Sequence, residues 1–133
     1  MTALASMLFT ALLSVQSWSH GEDRPGPNNG FIRMPGAYHT ELVPVGKNQV
    51  KVFLLDIELK NPTVQASALR LTFKGKSEAE LGCAVISNRH YLCSFPNKMD
   101  PTQSGKIIVK SQREGKVGMD VTYDWPLKPW PVL

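Results

Sequence analysis

The chain has 133 residues, 15 Lys and Arg against 11 Asp and Glu, and a formal net charge of +4. That length holds one domain and little else, and an apolar share of 42% with 20% charged residues excludes global disorder. Lys47, Lys51, Lys60, Lys74, Lys76, Lys106 and Lys110 stand singly along the chain, so the basic run of a nucleic-acid interface is missing and the mild basicity reads as solubility.

From Met1 to Ser19 there is no charged side chain, and Ala3 to Val15 is almost entirely apolar or small. The run has the length of the apolar region of a signal peptide and is too short for a comfortable membrane span. Ser17-Trp18-Ser19 supplies small residues at the −3 and −1 positions, which places cleavage before His20. One feature departs from the pattern: no Lys or Arg precedes the apolar run, which leaves an uncleaved anchor as the alternative. The absence of a Cys near the cleavage site argues against lipidation. The expectation is residues 1–19 as a signal peptide and a mature chain that is periplasmic or otherwise exported, with no stable membrane anchor after processing.

Residues 20–37 form an arm rich in Gly, Pro and Asn, expected to be extended, with a short edge strand at Phe31-Ile32-Arg33-Met34 ended by Pro35-Gly36. A β-domain then spans residues 38–125. Tyr38 to Val45 and Gln49 to Asp56 read as strands around a Gly46-Lys47-Asn48 turn, with Val50, Val52 and Leu54 recurring at period two. Glu58 to Ser67 is a polar connection. Further strands are expected at Ala68–Lys74, Glu78–Ile86, His90–Phe95, Lys106–Gln112 and Val117–Tyr123. Residues 126–133 are a tail whose prolines lack ladder donors. About seven short strands and no capped helical period predict an all-β fold, an antiparallel β-sandwich of immunoglobulin-like type.

Cys83 and Cys93 are the only cysteines. They flank a polar Ser87-Asn88-Arg89 turn, and a three-residue turn centred on Asn88 sets them opposite each other on a hairpin. In an oxidising compartment that pair is a disulfide.

Residues able to hold a metal lie near the start of the mature chain. A terminal His20 carries an α-amine and an imidazole together, and one further imidazole completes a three-nitrogen site suited to Cu(II). His39 is that second imidazole. It forms His-x-Glu with Glu41, and period two sets both on one face of a strand. Asp56 ends the next strand, as a ligand or as an acceptor that orients an imidazole. Met34 is a soft thioether suited to Cu(I). The plainer alternatives are a solvated or hydrogen-bonded His39, a Glu41–Lys51 pair, an Asp56 that caps a turn and methionines that only pack.

The segments His20-Gly21, Gly30-Phe31-Ile32, Pro35 to Val43 and Val50 to Asp56 resemble small periplasmic β-sandwich domains found with heavy-metal efflux systems. More distantly they are similar to CopC-like and YtkA-like copper-associated domains. The likeness covers residues 20–56 and implies metal handling through His20 and His39, with Glu41 or Asp56 beside them. At one place the chain departs from those domains: Asn28-Asn29-Gly30 stands where they often carry His-Gly-Gly, so either a ligand is missing or His20 serves in its stead.

No Gly-x-Ser-x-Gly, His-Glu-x-x-His or phosphate-cradling Gly loop is present. A copper oxygenase built on an N-terminal His would need a substrate surface that this short domain does not display, so the expectation is a non-enzyme. The leading expectation is a copper carrier or buffer, zinc being the second choice, that hands its ion to an efflux or cuproenzyme partner. The alternative is an envelope interaction module that docks a protein through its sheet edges and tail.

Overall fold

A computed structural model describes residues 24–128 and 130. The expected signal segment, its cleavage site and His20 lie outside these residues. The strands are β1 (Phe31–Arg33), β2 (His39–Val45), β3 (Gln49–Leu55), β4 (Ala68–Lys74), β5 (Glu78–Glu80), β6 (Gly82–Ile86), β7 (His90–Ser94), β8 (Gly105–Arg113), β9 (Lys116–Val117) and β10 (Val121–Trp125). They form two antiparallel sheets, one in the order β1-β2-β3-β7-β6 and the other in the order β10-β8-β4-β5, with β9 paired to β8. Among the described residues there is no helix long and apolar enough to cross a membrane. The molecule is a β-sandwich.

Seven strands have five residues or more, matching the expected number. Of the three shorter ones, β1 is the short edge strand expected at Phe31–Met34, while β5 and β9 were not anticipated as separate elements. The segment expected to run as one strand from Glu78 to Ile86 is broken at Leu81. There the side chain turns into the core and the backbone N–H donates to the Leu71 carbonyl at 3.0 Å. The chain thereby passes from the second sheet (β5) to the first (β6), which a continuous strand cannot do. Val117–Tyr123 is likewise split: Gly118 and Met119 leave the ladder to bond Ser111 and Pro35.

The core lies between the sheets. Leu42, Val50, Val52 and Leu54 of the first sheet meet Leu71, Phe73, Ile107, Val109 and Tyr123 of the second, as the period-two pattern of β3 requires. Polar ties cross the same gap. Tyr38 and Ser111 share a hydroxyl bond of 2.7 Å, Thr40 Oγ1 and the Tyr123 hydroxyl lie 2.6 Å apart, and that hydroxyl donates to the Thr40 carbonyl at 3.1 Å. Such buried bonds satisfy groups that would be costly to leave unpaired, and they fix how the sheets align. Trp125 packs in the core and its indole N–H donates to the Pro101 carbonyl at 2.7 Å. Trp130 closes the near edge, stacked on Phe31 at 4.9 Å and donating to the Gly30 carbonyl at 3.0 Å.

The hairpin β6–β7 pairs Cys83 with Cys93, and the two form a disulfide with their Cα atoms 4.0 Å apart. Ser87 and Asn88 adopt positive φ in its turn, and Arg89 N–H closes it onto the Ile86 carbonyl. Because β6 is a sheet edge whose ladder partner is β7, the cross-link ties this edge strand covalently to the sheet. Replacing both cysteines by Ala is expected to lower unfolding stability by about 2–3 kcal/mol, the loop-closure value for a short ring, read as a shift in urea midpoint.

Candidate functional site

Strand β2 carries His39 and Glu41, and its first four residues are buried on both faces. His39, Thr40, Glu41 and Leu42 are all buried in succession. Leu42 and Thr40 face the second sheet, so alternation directs His39 and Glu41 to the opposite side. In the β2–β3 ladder His39 stands opposite Leu55 and Glu41 opposite Phe53. The expectation that the two share a face holds, but that face is covered.

His39 is 2% exposed. Its Nδ1 lies 3.1 Å from the backbone oxygen of Asp56. A carbonyl can only accept, so Nδ1 carries the hydrogen, which in the neutral ring leaves Nε2 as an acceptor. Nε2 is buried and, among the described residues, has no hydrogen-bond partner. A buried acceptor left unpaired costs about 1–3 kcal/mol and in a native fold calls for an explanation such as a bound ion.

Asp56 acts on this imidazole through its main chain. Its carboxylate is turned instead to its own loop, accepting from Glu58 N at 3.0 Å, Lys60 N at 2.8 Å and Asn61 Nδ2 at 2.8 Å. The Asp56 carbonyl also accepts from Leu59 N, and Asp56 N donates to the Lys60 carbonyl. Leu59 and Asn61 are held at positive φ in this tight loop. From the other sheet, Arg113 donates to the Leu54 and Asn61 carbonyls at 3.3 and 2.7 Å. The Asp56 carboxyl is held below the ordinary carboxylate range, first by the Lys60 backbone bond. Asn61, Glu58 and the Arg113 charge act in the same direction, and desolvation opposes them.

Glu41 is 0% exposed. One carboxylate oxygen accepts from Asn28 N at 2.9 Å and Gly30 N at 2.9 Å, and the other from Asn28 Nδ2 at 2.8 Å. The N-terminal arm is therefore not a free extended segment at this point, but a loop stitched to β2. A β-carbon on Gly26 would run into the Glu41 carboxylate, and one on Gly30 into the Leu42 carbonyl; both approaches need glycine. Sequence reasoning read Asn28 and Gly30 only as the place of a missing His-Gly-Gly run, and it passed over their role as donors to Glu41 and the close approach of Gly26. Their signal was the turn-rich Gly-Pro-Asn composition read together with an acid two places from a candidate ligand.

Met34 is half-exposed at 38% and lies at the end of β1, apart from this network. The His90 ring packs on Phe53 at 4.9 Å. Its pKa is pushed below 6.5 by burial and by the Lys51 and Arg89 charges. The solvent face of the second sheet brings together cations that are scattered in sequence, with Arg70 opposite Lys110 and Lys74 opposite Lys106. Glu80 pairs with Arg70 at 3.2 Å, Glu78 lies 3.9 Å from Lys74, and Asp124 stands opposite Lys106. Acids thus line both sides of the basic strands.

Among the described residues no group of three or more His, Cys, Asp and Glu is arranged to hold a metal ion. His39 contributes one nitrogen; Glu41 and Asp56 have their carboxylate oxygens engaged by protein donors. In comparisons with known proteins, no family model, no curated protein and no solved structure matches the chain.

The lowered Asp56 pKa has a signed consequence. A folded pKa below the unfolded value of 3.8 means that the carboxylate stabilises the fold above that pH, and that this is lost as pH falls through the folded value. The gap in melting temperature between wild type and Asp56→Ala is expected to be open at pH 7 and to close progressively below pH 3.8, followed by thermal melts across the acid range.

Proposed function

We propose that this is an exported metal-binding protein that carries or buffers copper, with zinc the second choice, and passes it to an efflux or cuproenzyme partner. One observation carries the reading: the buried Nε2 of His39, without a hydrogen-bond partner among the described residues, beside an Nδ1–H fixed on the Asp56 carbonyl. Metal-binding imidazoles are held in this way, one ring nitrogen donating to a carbonyl or carboxylate so that the other points its lone pair at the ion. In the fold described above, Asp56 orients through its carbonyl and Glu41 organises the arm, so neither is counted among the donors. The remaining nitrogens are assigned to the α-amine and imidazole of His20, which with His39 make a three-nitrogen set suited to Cu(II). Met34 stays outside this set, as an exposed thioether near the arm.

An extracytoplasmic location is supported by the Cys83–Cys93 disulfide, since such bonds persist in oxidising compartments. The role is binding and handover, with no bond made or broken on a substrate. A second reading, docking of a protein partner without a metal, is favoured by edge strand β6, where Val85 and Ile86 are 51% and 37% exposed beside an unpaired ladder edge.

Titration of Cu(II) into the processed protein, its N-terminus confirmed as His20 by intact mass, tests the reading. The expected result is tight one-to-one binding. His39→Ala is expected to weaken it by more than the roughly 10–100-fold that changes around a ligand cost. No binding by a protein that does begin at His20 would leave the docking module standing.

A further inference from the structure

Among the described residues the first sheet ends in β6, Gly82-Cys83-Ala84-Val85-Ile86, a strand without a charge or a proline. Open edges of this kind are templates for a further strand, and folds ordinarily blunt them by shortness, charge or cover. The other described edges are blunted in that way. β1 and β5 have three residues each and β9 has two, and β5 carries Glu78 and Glu80. β10 is as long as β6, but it bears Asp124, and its Thr122 carbonyl accepts from Arg33 Nε at 3.1 Å. In β6 every residue but Cys83 is exposed, Val85 at 51% and Ile86 at 37%.

The register decides which groups this edge offers. Cys83 and Cys93 stand opposite each other with Cα atoms 4.0 Å apart, the close spacing of a non-hydrogen-bonded antiparallel pair. Alternation then turns the N–H and C=O of Gly82, Ala84 and Ile86 toward β7, and those of Cys83 and Val85 toward the open side. At the entry to the strand that side is closed, because Leu81 N–H donates to the Leu71 carbonyl. At the exit Ser87 leaves the extended conformation at positive φ. The open length is thus β6 itself, tied to the sheet by the disulfide and so ordered in advance of any partner.

We infer that β6 is a self-association edge whose occupant is β6 of a second copy, paired antiparallel about a two-fold axis at Ala84. Centred there, Ala84 meets Ala84, and Cys83 of each copy exchanges both backbone bonds with Val85 of the other. A register centred on Val85 would instead set Cys83 against Ser87, which the turn has taken out of the ladder. Charge selects both the partner and the direction. β6 has no charge with which to choose an acidic or a basic segment, and the uncharged strand present wherever this chain is present is β6 itself. In the antiparallel pairing Arg89 of one copy comes alongside Glu80 of the other; a parallel one would set Glu80 beside Glu80 and Arg89 beside Arg89. This occupant belongs to the edge on which the second reading above rests, and the pairing needs no metal.

The test is sedimentation of the exported protein over a range of concentrations, with a metal chelator present, for wild type, Ala84→Lys, Ala84→Glu and Val85→Pro. Wild type is expected to pass from monomer to dimer as concentration rises. Ala84 is exposed, so the monomer accepts either charge there, and in the dimer each charge stands opposite its own copy across the axis. Each charged variant alone is expected to raise the dissociation constant about fivefold, the upper value for like charges directly opposed. Mixed together, Ala84→Lys and Ala84→Glu are expected to pair as a heterodimer at least as tightly as wild type. Val85→Pro removes an outward N–H and no bond to β7, and is expected to stay monomeric. A wild-type chain that stays monomeric would overturn the self-pairing and leave docking of a different protein to be judged on its own. A dimer that survives Val85→Pro lies elsewhere on the molecule and overturns it too. Failure of the two opposite charges to pair would overturn the alignment at Ala84. Cu(II) binding, read by titration, moves independently of all these outcomes.

Discussion

A carboxylate cannot sit in a protein interior without donors, and the layout of this molecule around β2 follows from that constraint at Glu41. The strand is covered on both faces, so its charged residue has no route to water. The donors come from Asn28 and Gly30, which obliges the arm to fold back over the sheet and to approach within glycine distance. Once the arm lies there, β1 is delivered to the edge of β2 in the register Ile32–Glu41. The Gly30 carbonyl is then presented to Trp130, whose ring stacks on Phe31. Both ends of the described chain are thus tied to one short stretch beside a buried acid.

Much of the β-architecture was legible in the sequence because its strands obey a simple period. Val50, Val52 and Leu54 alternate with Lys51 and Phe53, and the former face the core. The Cys83–Cys93 pairing followed from a short polar turn between two apolar runs, and the register is the expected one. The errors came where the chain changes sheets. Leu81 has the same apolar character as its neighbours, and nothing in one-dimensional alternation marks it as the point where a strand ends and another begins. That break is imposed by closing two sheets over a single core, a tertiary requirement.

The candidate site was legible in its residue types and obscure in its roles. His39-Thr40-Glu41 is a polar run whose sequence does not say which face is covered, and it is among the most deeply buried stretches of the described residues. Burial of polar groups on both faces of a strand depends on what covers them, and here part of the cover is a loop eleven to thirteen residues upstream in sequence. The alternatives set beside the metal ligands fared unequally. Asp56 does organise a turn, as its plainer alternative had it, while Glu41 is satisfied by the arm and not by Lys51. Spacing could place His39 and Glu41 on one face; it carried no information on which donors would reach them first.

The two carboxylates, although engaged elsewhere, still bear on the imidazole between them. The Asp56 side chain bonds Glu58, Lys60 and Asn61 and so fixes the loop in which its own carbonyl is aimed at His39 Nδ1. Arg113 reaches across from the second sheet to hold Asn61 and Leu54 in that same loop. The tautomer of His39 is therefore set by a chain of bonds that starts in the opposite layer of the sandwich. A histidine needed only to fill space would be served by either tautomer with both nitrogens bonded. Among the described residues the other ring nitrogen, Nε2, is buried without a partner, and it is on this contrast between the two nitrogens that the metal-binding proposal rests.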